Sequence, residues 1–311
     1  MKKYSYDDVD ILIADQNLQL RAGLKGMLHQ SGFRDIKDVG THEQLVDEVK
    51  IKSPDLILCD VDLPGGDVCE TIVELRHKKC GFNPFASIIL FIDEPTQDVV
   101  SRASRAGVDD LQIKPIVAQK VLDRVQYLVE KRKPFVVTTD YIGPDRRTGH
   151  RPGTQKIDAI DVPNSLKDKA TGIFNERKFR EDVENAFWNI NSQKIERQAY
   201  QIAYLVDRIV PAYQAKQFNK ESMTQCARLV DVSKDIAHRL EDSDFNHLSG
   251  LVATLETVAE SLWKSGTLPK QKDLELLPEL SAAISATFKS VKAAAPFADE
   301  IIHSVQDKYQ K

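Results

Sequence analysis

The chain has 311 residues, 41% of them apolar and 29% charged, with a formal net charge of -4. That length is enough for two domains, each burying its own core. No apolar run approaches the roughly 20 residues of a membrane span, and the start MKKYSYDDVD turns acidic where a signal peptide is apolar, so a cytoplasmic protein is expected.

Up to about residue 130, short apolar runs alternate with helical patterns, the signature of βα units and a parallel sheet. Strands are predicted at Ile11 to Ala14, Ile36 to Val39, Leu56 to Asp60, Ser87 to Ile92 and Asp110 to Ile113. The unbroken run Leu56, Ile57, Leu58, Cys59 reads as a strand covered on both faces, so Asp60 should emerge at its C-terminal edge. The expected fold of residues 1 to 130 is α/β, a doubly wound five-stranded parallel sheet.

Residues 131 to 172 change character: "TTDYIGPDRRTGHRPGTQ" is rich in Gly, Pro, Thr and Arg without apolar periodicity, which predicts a linker. Within it, Arg146, Arg147, His150 and Arg151 are candidates for an acidic partner, with a solvated linker as the plainer reading. From residue 173 to 311 apolar residues recur at helical spacing, predicting an all-α bundle of five or six helices for output or dimerisation. Phe179, Val183, Phe187 and Ile190 share one face. A second helix runs from Phe245 to Leu262, with Ser243 as its expected N-cap and Gly266 as its stop. Ile195, Ala199, Ile202, Val206, Ile209 and Tyr213 are spaced as a heptad seam that Pro211 interrupts; it reads as a coiled-coil stripe or as the buried face of a bundle helix.

The four cysteines, Cys59, Cys69, Cys80 and Cys226, lack metal-ligand spacing and read as reduced structural thiols. Residues 1 to 130 hold 16 Lys+Arg against 22 Asp+Glu, and the remainder 27 against 25, so neither half carries the basic footprint of a nucleic-acid binder. The segment SKDIAHRLEDSDFNHLSG offers a turn but places acids at its centre, where a DNA-reading helix pair needs bases.

Chemistry-bearing residues fall where strand ends should converge. Asp15 closes the first strand in ILIADQN, Asp60 the third, Ile92 and Asp93 the fourth in IILFIDE, and Lys114 and Pro115 the fifth in LQIKPI. Together with Pro64 and Gly65 after the central acid and Ala106 and Gly107 before the fifth strand, this ordered set resembles the receiver domain of bacterial two-component response regulators, over roughly residues 8 to 130. The resemblance implies a phosphorelay in which Asp60 accepts a phosphoryl group from a sensor histidine kinase or phosphotransfer protein. It implies Mg²⁺ at Asp15, Asp60 and the backbone carbonyl of Asp62, with Lys114 as the cation that pairs with the product.

Three positions depart from the family pattern. Gln16 stands where a second acid is usual and weakens the expected Mg²⁺ site. Ile92 and Leu111 stand at the switch positions, where the family has a hydroxyl and an aromatic, and neither side chain can hydrogen-bond. Two readings follow: a receiver whose phosphorylation is read out differently, or a degenerate receiver serving as a phosphorylation-independent scaffold.

For residues 173 to 311 the sequence offers no catalytic cluster, so a non-enzymatic output through protein contacts is expected, with a homodimer through this domain. Neither His238, His247 nor His303 sits in a phosphotransfer-like context.

Overall fold

The computed structural model of the chain describes residues 4–147, 158–241, 243, 245–287. Two compact units emerge, Met1–Ile190 and Asn191–Lys311.

The first unit contains a five-stranded parallel sheet of β1 (Asp10–Ala14), β2 (Asp35–Val39), β3 (Leu56–Asp60), β4 (Ser87–Ile92) and β5 (Asp110–Ile113) in the order β2-β1-β3-β4-β5. The five helices between and after the strands are α1 (Leu18–Gln30), α2 (His42–Ile51), α3 (Val68–Arg76), α4 (Gln97–Ala106) and α5 (Ala118–Lys131). Alternation along the strands builds two apolar layers. Ile11, Ile13, Leu56, Leu58, Ile89 and Phe91 pack against Leu24 and Leu28 of α1 and Val121, Val125 and Leu128 of α5. Leu12, Ala14, Ile57, Cys59, Ile88 and Leu90 pack against α2, α3 and α4. This is the expected doubly wound sheet, with strand bounds matching the sequence reading to within one residue.

The stretch read as a linker is instead structured. β6 (Phe135–Val137), β7 (Ile142–Pro144) and β8 (Ala159–Ile160) form a three-stranded antiparallel sheet, followed by the short helix α6 (Ser165–Ala170). The sequence hid this sheet because its strands are two or three residues long, too short for periodicity. Buried arginines fasten it. Arg76 donates to the carbonyls of Gly107, Pro84 and Ala86 at 2.7–2.9 Å. Arg132 donates to Phe85 O at 2.6 Å, and both guanidinium groups share Asp109 and lie over the Phe135 ring. Arg146 donates to Val108 O, while Arg147 pairs with Asp145, so the described half of the arginine group is bound within the unit; His150 and Arg151 lie outside the described residues. The backbones meet at Gly107, whose φ is +87°; a Cβ there would stand 2.5 Å from Ile142 O. α6 is anchored by Lys169, which pairs with Asp10 at 2.6 Å and Asp55 at 2.8 Å.

The helix α7 (Glu176–Gln214) runs from the first unit into the second. Val183, Ala186 and Ile190 bury against Phe85, Phe135, Val137 and Ile142, with Phe179 and Phe187 packed beside them. The boundary expected at residue 173 therefore shifts to Ile190, because this apolar face is spent on the small sheet.

In the second unit, α7 continues beside α8 (Lys220–Leu240), a 3-10 turn (Asn246–Leu248), α9 (Ser249–Ser265) and a helix α10 over 271–287. The heptad residues Ile195, Ala199, Ile202, Val206, Ile209 and Tyr213 are all in its apolar core, the buried-face alternative. Pro211 does not break the helix; it lies exposed near the C-terminal end, where its missing N–H costs one bond. Ser243 accepts a bond from Phe245 N, but α9 starts only at Ser249, since the 3-10 turn intervenes; Gly266 ends it as expected. Among the described residues this unit has four helices.

Candidate functional site

The sheet assembles the site by ending its inner strands together. In parallel register, Ala14 pairs with Cys59 and Asp60 with Phe91, so Asp15 and Asp60 leave the same C-terminal edge side by side. β5 joins beyond β4 and delivers Lys114 to that edge. Asp15 and Asp60 are fully buried, and Lys114 Nζ lies 2.7 Å from Asp60 Oδ2 and 3.1 Å from Asp15 Oδ2. The three residues expected to meet are thus brought together.

Local bonds set the carboxylates. Asp15 Oδ1 accepts from Asn17 N at 2.7 Å, and Asn17 in turn caps α1. Asp60 Oδ1 accepts from Asp62 N at 3.3 Å, which turns the chain after β3. The loop is held further on, where Pro64 O accepts from His42 N at 2.9 Å. Burial raises the Asp60 carboxyl above its ordinary pKa, opposed by the bond and charge of Lys114. Burial alone would lower the Lys114 ammonium, yet its bonds to Asp60 and Asp15 outweigh this and raise it, so it stays charged.

Asp62 is exposed at the rim, and its carboxylate, with those of Asp60 and Asp93, places oxygens within 4.8 Å of one another. Gln16 is exposed and brings no charge. Ile92 is buried and Leu111 half-buried, both packed into the α2–α4 layer. The donor set suits a hard divalent cation: Asp60, Asp62 and Asp93 offer carboxylate oxygens, and Asp15 adds another beside Asp60. Asp93 is the pocket member to which sequence reasoning assigned no role. Its signal was available, because it closes β4 as Asp60 closes β3.

Residues 11–126 match the family model described as the response regulator receiver domain. The chemotaxis protein CheY of Bacillus subtilis is 30% identical over 115 residues, which cover 37% of this chain and 92% of CheY. The transcriptional regulatory protein PdtaR of Mycobacterium tuberculosis is 25% identical over 121 residues, 39% of this chain; the match spans 57% of the length of PdtaR. Among solved structures, the receiver domain of a Pseudomonas aeruginosa sensor histidine kinase is 25% identical with a TM-score of 0.34, covering 38% of this chain and 94% of that one. With its acid pair, its lysine and its β2-β1-β3-β4-β5 sheet, the chain belongs to the response regulator receiver family.

Proposed function

We propose that the chain is a two-component signalling protein whose receiver accepts a phosphoryl group on Asp60 and acts through protein contacts of its helical unit. The observation that carries this reading is the buried Asp60 carboxylate with Lys114 Nζ at 2.7 Å and Asp15 on the lysine's other side. An Asp60 oxygen attacks phosphorus, an O–P bond forms, and the N–P bond of a donor phosphohistidine breaks. The electron pair leaves on the imidazole nitrogen, which takes a proton from water. Lys114 then faces the phosphoryl oxygens, as a fixed cation poised where charge accumulates.

Asp15, Asp60 and the Asp62 carbonyl are the residues that would hold Mg²⁺. When bound, Mg²⁺ offsets charge on the transferring phosphoryl oxygens. The donor class is a sensor histidine kinase or a phosphotransfer protein, and the helical unit serves as a non-enzymatic output, with self-association through it. The protein works in the cytoplasm in this reading, and among the described residues no helix is long and apolar enough to cross a membrane.

A second reading has its own observation. Ile92 and Leu111 pack as apolar groups where the switch would need a hydroxyl and an aromatic, which favours a scaffold that docks partners irrespective of phosphorylation. Incubation of the full chain with acetyl phosphate and Mg²⁺, followed by intact mass measurement, separates the two. Slow labelling that is lost in Asp60→Asn, with little change in oligomeric state, is the expected result. Absence of any label on Asp60 refutes the acceptor reading and leaves the scaffold.

A further inference from the structure

Three strand ends deliver acids to one ammonium group. Lys114 Nζ lies 2.7 Å from Asp60, 3.1 Å from Asp15 and 3.9 Å from Asp93, and the Asp62 carboxylate reaches within 4.8 Å of those of Asp60 and Asp93. Lys114 thus pairs with three carboxylates, and a fourth stands beside two of them. Asp15 and Asp60 are both wholly buried, and they share the one Lys114 ammonium between Asp15 Oδ2 and Asp60 Oδ2. Two buried carboxylates that share a single ammonium are costly unless further positive charge compensates them.

The acids are distributed unusually. On the β1 side, Gln16 is neutral and exposed, so Asp15 stands alone there. On the β4 side, Ile92 supplies no oxygen, but the next residue, Asp93, does. The charge absent at Gln16 reappears across the pocket, 63% exposed at its rim.

We infer that Asp93 is a positioning residue for a divalent cation in this pocket and supplies the negative charge that Gln16 does not. This rests on the reading of the pocket as a cation site, and it changes the consequence of Gln16: cation affinity is kept by exchange rather than lost. A divalent cation about 5 Å from a unit charge, screened as in bulk water, is held roughly tenfold more tightly than without it.

The test is Mn²⁺ binding to the full chain, read from the electron paramagnetic resonance signal of free Mn²⁺. Asp93→Asn is expected to weaken binding about tenfold. Asp47→Asn, which removes an exposed acid on α2 away from the pocket, should leave it unchanged. The exchange itself is tested by Gln16→Asp combined with Asp93→Asn, which should recover most of the affinity. Asp93 is exposed, so the substitution leaves the core intact, and circular dichroism before and after verifies this. An Asp93→Asn affinity within twofold of the parent, a parent that binds no Mn²⁺, or a double variant as weak as Asp93→Asn would each overturn the inference. The readout does not depend on phosphoryl transfer. A chain that binds Mn²⁺ through Asp93 yet never labels on Asp60 refutes the acceptor reading and keeps this one.

Discussion

Removing the Asp109 carboxylate should unlock the first unit. Asp109 and Arg76 are each 1% exposed and Arg132 is 5% exposed, so the triad is out of water. Asp109 Oδ2 accepts from Arg76 Nη2 at 3.1 Å, Arg132 Nη2 at 3.1 Å and Ile88 N at 2.9 Å, and Oδ1 accepts from Arg132 Nε at 2.7 Å. Burial already lowers the Arg76 guanidinium to about 10, with Arg132 adding to the effect and Asp109 opposing it. Asp109→Ala leaves two adjacent buried cations and an unpaired Ile88 N–H. Breaking a buried pair in this way costs about 3 to 5 kcal/mol; the carbonyls that Arg76 and Arg132 retain place the expected loss at the lower end. Asp109→Asn keeps an acceptor oxygen and should lose less. Urea unfolding can be followed by Trp188 fluorescence in a Trp263→Phe background, so that the signal comes from the first unit. With a slope of about 2 kcal/mol per molar urea, Asp109→Ala should lower the midpoint by roughly 1.5 M. A fall of less than about 0.5 M would refute the reasoning, by showing that the guanidinium groups are satisfied without the carboxylate.

Gly107→Ala places a Cβ 2.5 Å from Ile142 O on a residue with φ +87°, and it should cost about 1 to 2 kcal/mol from backbone conformation alone. Faster amide exchange at Val136 and Val137 is the sign to look for, and unchanged protection would count against the close approach. Lys234 and Lys264, each 2.8 Å from Glu260, hold its carboxyl down to about 2. Its contribution is therefore present above pH 4.5 and fades as pH falls toward 2, so Glu260→Gln should be less stable than the parent at pH 7 and indistinguishable from it near pH 2. Thermal melts across that range will show whether the difference closes. A chain ending at residue 130 loses Arg132 and Lys169, so it should melt below a chain ending at residue 190; equal melting temperatures would show the small sheet to be an ornament.

Much of the first unit was legible because its signals are strong and local. The apolar runs Ile11–Ala14, Leu56–Cys59 and Ile88–Ile92, each closed by an acid, can be read without any partner, and the β-α alternation then brings Asp15, Asp60 and Lys114 to one edge. The small sheet was not legible, because it is stabilised at long range. Phe135 and Val137 are buried by Phe85 and by Val183 and Ile190 of α7, none of which is near in sequence. Arg76 and Arg132 are buried only because the fold brings the carbonyls of Gly107, Pro84, Phe85 and Ala86 to them. The face of Phe179, Val183 and Ile190 was correctly read as helical, yet its partner was misplaced, since periodicity says which side is buried and not against what. Asp93 was visible as a strand end, but only the fold sets its distance from Asp60 and Asp62.

The two edges of the sheet do different work, and the division follows from strand chemistry. At the C-terminal edge the strands end on Asp15, Asp60, Asp93 and Lys114, leaving charge partly unmet and open to a ligand. At the N-terminal edge, the charged residues beside the strand starts are met from within the chain: Asp10 and Asp55 by Lys169, and Asp109 by Arg76 and Arg132. Asn164 Nδ2 donates to Leu128 O, and Ser5 N to Ala170 O, extending the seal across α5 and the chain start. The segment 131–172 is therefore part of the receiver's own stability. Since β5 has four residues, only Asp110 to Ile113 separate the clamped Asp109 from Lys114 in the pocket. That short strand is the direct covalent path from the pocket to Asp109, and the arginines over the Phe135 ring carry the contact on to the small sheet.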